Sequence, residues 1–301
     1  MTRTVTVGLD GSPESRAAAE WAAREAKLRG LPLRLVNVWE PVPPMGQAPL
    51  LGGETQQHWS ERIPREAAEV LRLRHPDVEI TVEQLAGRPG EVLPAAVEDA
   101  ELLALGSRGL SGFGGYLVGS VGLAVVAHCE RPVVLVRAGD QAAAEEDAPD
   151  PDMAASGTSA YRPVVLGIDT TSPDDAVIAF AFDAAVRRGT ALRVVHGWNL
   201  PPYFVYGLPA DLDLNARLAV GESATLTEVL RPWRQKFPDV EVVEESHSGK
   251  AANRLVDASR DASLVVVGRR IRRSPVGAHI GPVTYAVLHH ATAPVAVIPH
   301  L

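Results

Sequence analysis

One stretch of the chain carries glycines at the spacing Gly106-x2-Gly109-x9-Gly119-Ser120, directly after the apolar run ELLAL at 101–105. Glycine is costly in conformational entropy, so such a cluster marks tight bends or close backbone approach. Gly106 and Gly109 would let the chain turn and offer amide N–H groups to an anion. Gly119-Ser120 would open a helix whose first amides and dipole favour phosphate oxygens. Ser120 adds a hydroxyl donor there, and Arg108 a cation. A second stretch, Gly8-Leu9-Asp10-Gly11-Ser12, also follows an apolar run. Asp10 has the chemistry to accept from a ribose hydroxyl or to help hold a magnesium ion between phosphates. Each residue also has a plainer reading, since glycines after strands form turns and Gly-Ser or Asp at an element end caps a helix.

These residues need elements to position them, and the chain supplies an alternating pattern. VTVGL (5–9) reads as a strand, and Ser12-Pro13-Glu14 as a helix start with proline in the first turn. Ala18, Trp21, Ala22 and Leu28 recur at helical spacing up to a stop at Gly30. Strand LRLVNVW (33–39) and a Pro/Gly-rich loop (41–53) follow, then a helix over 57–74 and a strand over 78–85. A helix over 90–100, the strand at 101–105, a helix near 119–129 and the strand VVLVR (133–137) complete the unit. Five strands alternating with four helices predict an α/β fold, a doubly wound parallel sheet with crossover helices on both faces. Ligands of such sheets sit beyond the carboxyl ends of the strands, where both glycine-bearing stretches lie.

The 301 residues contain this pattern twice. TVTVGLDGSPES (4–15) matches PVVLGIDTTSPD (163–174), with Asp10 answering to Asp169, and LRLVNVW matches LRVVHGW (192–198), both at an offset of 159. At an offset of 162, ELLALGSRG (101–109) matches SLVVVGRRI (263–271) and RPVVLV (131–136) matches APVAVI (293–298). The second copy has a cap at Ser172-Pro173-Asp174 and a stop at Gly189. The predicted organisation is two tandem domains, 1–138 and 161–301, joined by a flexible linker over 139–160 that is rich in Ala, Pro and acids.

Composition narrows the function classes. A formal net charge of −8 speaks against duplex nucleic acid as partner but not against a nucleotide held by backbone amides. No apolar run approaches the roughly 20 residues that span a bilayer, and the opening MTRTVTVGLDGS lacks the apolar core of a secretory leader. The single cysteine, Cys129, excludes an intrachain disulfide framework. A cytoplasmic protein without membrane contact is expected. No G-x4-GK[ST] loop is present, and no nucleophile, base and orienting group can be assembled. The half-motif AHIGP (278–282) lies after the fourth strand rather than the first. His128-Cys129 and His289-His290 are adjacent pairs without metal-ligand spacing, so no metal site is assigned to them.

The glycine spacing, with VGLDGS before it and RPVVLV after it, resembles the universal stress protein family, and the whole chain resembles its tandem members. The resemblance implies two tandem five-stranded sheets, each ordered 3-2-1-4-5, with ATP held between the first and fourth strands where the full glycine motif is present. It places Gly8 and Asp10 beside ribose and phosphates and has Val38 offer backbone contacts to adenine. Leu105, Gly106, Arg108 and Gly109 would wrap ribose and phosphates, and Gly119, Ser120 and Val121 would meet the phosphate chain. The second copy departs from the motif, because Ile271 replaces the second glycine and Pro282 the serine. A β-branched residue resists positive φ and proline has no N–H, so a weakened or empty second site is expected. Arg269, Arg270, Arg272 and Arg273 would bring other anions there, or only solvate a loop. The expected function is an ATP-binding stress-response regulator, with magnesium accompanying ATP, an unknown regulatory protein as partner, and hydrolysis absent or very slow. A slow ATPase at the same site and a nucleotide-independent interaction module are the alternatives. In the implied order the last strands, VVLVR and VAVIP, are apolar edges, so their pairing within the chain or in a homodimer is expected.

Overall fold

The computed structural model describes residues 3–40, 53–107, 118–138, 161–199, 212–271 and 280–301. The chain divides into two compact units, one of 1–142 with 271–280 and 301, the other of 143–270 with 281–300.

The first unit runs β1 (Val5–Leu9), α1 (Pro13–Arg29), β2 (Leu33–Trp39), α2 (Gly53–Arg74), β3 (Ile80–Ala86), α3 (Pro89–Ala96), β4 (Leu102–Ser107), α4 (Ser120–His128) and β5 (Val133–Arg137). Every pairing within it is parallel, in the order β3-β2-β1-β4-β5. The chain lays β2 and β3 on one side of β1, then crosses back to lay β4 and β5 on the other. Right-handed crossovers turn that reversal into a change of face, with α1 against α2 on one side and α3 against α4 on the other. Strands covered on both faces carry continuous apolar runs. Accordingly Val5, Val7, Leu33, Leu35 and Leu102–Ala104 are fully buried, whereas β3 leaves Thr81 and Val82 exposed.

Local chemistry sets the ends of α1. The Ser12 hydroxyl accepts from the Ser15 amide at 3.1 Å, Pro13 occupies the first turn, and Gly30 closes the helix in the left-handed region at φ 62°. Trp21, Ala18 and Ala22 then face the sheet, completely or almost completely buried. α3 stops at Ala96, earlier than the predicted 100, and β4 runs on to Ser107, past the predicted 105.

The second unit repeats the plan with β6 (Val164–Ile168), α5 (Asp175–Arg188), β7 (Leu192–Trp198), α6 (Leu212–Lys236), β8 (Val242–Ser248), α7 (Ala251–Ala258), β9 (Leu264–Arg270), α8 (Pro282–His290) and β10 (Val295–His300). Its parallel order is β8-β7-β6-β9-β10, the same 3-2-1-4-5. The predicted helix start moves by two residues. Asp174, not Ser172, caps α5, accepting from the amides of Ala176 (2.9 Å) and Val177 (3.4 Å). The Ser172 hydroxyl instead accepts from the Arg270 guanidinium at 2.6 Å. A carboxylate at the helix start satisfies two amides and the dipole together, which a hydroxyl two residues earlier cannot reach. The stop at Gly189 is as expected, at φ 59°.

Candidate functional site

In the first unit a cleft of about 220 Å3 opens where β1, β2 and β4 end. Its inner wall is apolar, made by Leu9, Val36, Val38, Leu93 and Leu105. Its rim is polar, formed by Asp10, Ser12, Ser15 and the opening turn of α4. Gly8, Asp10, Val38, Leu105, Gly106, Gly119, Ser120 and Val121, all singled out from the sequence, line this one cleft. Arg108 and Gly109 lie outside the described residues. Leu93 and Pro89 were missed. They come from α3, which reaches the cleft only because the chain reverses direction at β1, and no local pattern announces that.

The start of α4 carries the site's electrostatics. Gly119 is its N-cap, at φ −64° and ψ 155°, and makes no side-chain capping hydrogen bond. The first backbone bond of this turn is from the Leu123 amide to the Gly119 carbonyl, at 3.1 Å. Among the described residues no side-chain oxygen caps the Ser120, Val121 and Gly122 amides that open the helix, unlike α1, where Ser12 supplies one. Ser120 and Val121 are exposed, and the helix dipole adds a partial positive charge at this end. Chemically, the arrangement can hold an anion at the helix start while an apolar ring or chain lies along Val36, Leu93 and Leu105.

Two of the residues read as ligand contacts do work for the protein itself. Gly106 does not make a turn. It lies inside β4, opposite Val136 of β5, and a Cβ on it would stand 2.6 Å from the Glu14 carbonyl carbon and 2.7 Å from the Ser15 amide nitrogen. The glycine lets the first turn of α1 rest directly on the strand. Asp10 is tied into the turn after β1, its Oδ1 accepting from the Ser12 amide at 2.9 Å and from the Ser12 hydroxyl at 2.5 Å. Asp169 does the same in the second unit, accepting from the Thr171 amide at 3.0 Å and hydroxyl at 2.7 Å. An aspartate that keeps this geometry where the glycine motif has decayed is first a turn former.

The matching place in the second unit is built differently. Gly197 stands where the first unit has Val38, and a Cβ on it would lie 2.5 Å from Ala251 Cα and 2.8 Å from Ala251 N, so the start of α7 sits on β7. Pro282 opens α8 and removes one amide donor. Thr284, in the position of Gly122, donates its hydroxyl to the Gly268 carbonyl at 2.8 Å. Protein atoms thus take positions that the first unit leaves to its cleft. Among the described residues no group of three or more His, Cys, Asp or Glu is placed to hold a metal ion, and no helix is long and apolar enough to cross a membrane.

Comparison with known proteins bears on both copies. The model of the universal stress protein family matches residues 1–137 and again 160–299. A universal stress protein of Mycobacterium tuberculosis is 34% identical over 303 residues, covering 97% of this chain and 96% of its own. One of Mycolicibacterium smegmatis is 31% identical over 308 residues, covering 98% and 96%. The crystal structure of a universal stress protein from Archaeoglobus fulgidus superposes at a TM-score of 0.67 with 19% identity, over 98% of both chains, which speaks for a shared fold. With two matched copies and identity sustained along their length, this chain belongs to the universal stress protein family, as a tandem member.

Proposed function

We propose that the first domain, residues 1–138, binds an adenine nucleotide, ATP, and that the chain acts as a nucleotide-dependent regulator rather than a turnover enzyme. The observation that carries the reading is the uncapped start of α4 opening onto the same cleft as the apolar wall of Val36, Leu93 and Leu105. A nucleotide is a molecule of that polarity, with an apolar ring at one end and phosphates at the other. The phosphates would take the amides of Ser120, Val121 and Gly122 and the Ser120 hydroxyl, with Arg108 and Gly109 completing the loop. Adenine would lie toward Val38, and Gly8 and Leu105 beside the ribose. Magnesium would enter with the phosphates, with Asp10 as its carboxylate.

Hydrolysis is expected to be absent or very slow, well below about 1 per second. Among the described residues lining the cleft Asp10 is the one carboxylate, and its Oδ1 is committed to Ser12. Interactions that hold the ground state give affinity without lowering the barrier. The second domain, 161–301, follows the linker at 139–160 and is read as lacking a nucleotide site, because α7 rests on Gly197 and Pro282 opens α8. One observation favours the reading as a pure interaction module: Gly106 has a purpose inside the protein, so part of the glycine motif needs no ligand. Titration calorimetry with ATP decides between them. One site per chain is expected. No binding would leave the interaction module, and two equal sites would remove the asymmetry between domains.

A further inference from the structure

A groove of about 620 Å3 runs between α1 and α2 of the first unit, beside the cleft described above, with Leu9 and Ser15 bordering both. Its walls are apolar. α1 contributes Ala17 and Ala19, and α2 contributes Ile63, Ala67, Val70 and Leu71, which recur at three- and four-residue spacing and so share one face of the helix. From Ile63 to Arg74 the groove follows α2 for about 16 Å. Val70 stays 48% exposed within it, so the apolar wall is open to solvent.

The second copy packs larger side chains at the corresponding place. Arg72 and Arg234 donate to the carbonyls of Ile80 at 2.9 Å and Val242 at 3.0 Å, so the last turns of α2 and α6 match at the offset of 162. Leu71 thus answers to Trp233 and, on the facing helix at the offset of 159, Ala19 answers to Ile178. Ile178 is 1% exposed, and Trp233 stacks on Phe182 and Phe237 at centroid separations of 6.0 and 6.3 Å. The charged residues of the groove are not all balanced. Glu20 is held by Arg74 at 3.3 Å and by His75 Nε2 at 2.8 Å, and Glu66 by Arg62. Arg16, exposed at the Gly11 end, makes one bond among the described residues, from Nη2 to the Gly11 carbonyl at 2.9 Å, and pairs with no carboxylate. Its counterpart in the second copy is Asp175, of opposite charge. The groove therefore presents an apolar wall with a cation lacking its counter-charge at one end. A ligand with an apolar chain and an anionic head matches both.

We infer that the first unit binds an alkyl carboxylate in this groove, its chain along Ile63, Ala67 and Val70 and its carboxylate at Arg16. The site does not rest on the nucleotide reading. The test is titration calorimetry of the full chain with decanoate below its micelle-forming concentration, with hexanoate and decylamine as controls. Decanoate is expected to bind once per chain, and hexanoate about tenfold or more weakly because it loses methylenes from the wall. Decylamine, with the head charge reversed, should bind more weakly than decanoate. Val70→Asp, which puts a charge in the apolar wall, should weaken decanoate about tenfold or more, and Arg16→Gln about threefold or more. Neither residue lines the nucleotide cleft, so ATP binding should stay unaltered in both variants. Arg16→Gln, at an exposed position, provides the readout should Val70→Asp lose its fold by circular dichroism. The proposal is overturned if decanoate does not bind, if decylamine binds as tightly, or if both variants bind decanoate like the unaltered chain. It also falls if sedimentation shows a dimer that Val70→Asp dissociates, which would give the groove to a second copy of the chain.

Discussion

Gly106 and Asp10 show how a residue chosen for one chemistry can be held for another. At Gly106 even a methyl group would overlap backbone of α1, at 2.6 and 2.7 Å, and backbone cannot rotate out of the way as a side-chain tip can. Gly106→Ala should therefore cost about 1–3 kcal/mol in stability, read as a drop of several degrees in Tm with or without nucleotide. Unchanged Tm would return Gly106 to the ligand. Asp10 and Asp169 make the same two hydrogen bonds in their own copies. Asp10→Ala and Asp169→Ala should each lose about 1 kcal/mol by denaturant titration, in similar measure, because each frees an amide and a hydroxyl from one turn. A large loss at Asp10 with none at Asp169 would contradict the shared turn.

At the scale of elements, the start of α4 is where fold and function pull in opposite directions. An uncapped helix start is unfavourable for the helix and favourable for an anion. Ser120→Asp supplies a carboxylate to the dipole inside the chain. It should leave stability equal or raise it by a few tenths of a kcal/mol, and weaken ATP binding more than tenfold by repulsion of the phosphates. Thermal melts and calorimetry on the same preparation check the two signs. Loss of both stability and affinity would mean that Ser120 is structural. The second unit shows the alternative solution, in which proline opens α8 and the Thr284 hydroxyl serves the end of β9.

At the scale of the whole molecule the two copies share strand order and the left-handed glycine stops at Gly30 and Gly189 but differ in what fills the space beyond the strand ends. Val38 against Gly197 is the clearest instance, since the absent side chain admits the start of α7. Bound ATP should consequently act on one copy. Amide hydrogen exchange with saturating ATP is expected to slow at 5–9, 102–107 and 118–123 and to stay unaltered at 164–168 and 264–270. At about 100 times Kd the gain available to the binding unit is about 2.7 kcal/mol, ample for the measurement. Equal protection of both copies would refute the asymmetry.

The strand and helix order was legible from residue pattern alone, because period and capping are local properties. VTVGL and RPVVLV are apolar runs of strand length, Ser12-Pro13 and Gly30 bracket α1, and the strand runs and the glycine stop recur at fixed offsets in the second copy. The candidate site was legible in part, since Gly8, Asp10, Gly119 and Ser120 stand at element ends where a parallel sheet places its ligands. Leu93 and Pro89 were not, because only the reversal of strand order at β1 brings α3 to that cleft. Gly106 was misassigned to a turn because a glycine has the same letter whether it bends the chain or admits a neighbour. Which of the two it does depends on α1, far from it in sequence and 2.6 Å from its missing Cβ. A cavity of the second unit lined by Asn215, Trp198 and Ser246 was invisible for the same reason: these residues form no motif, and only packing of α6 on β8 makes neighbours of them.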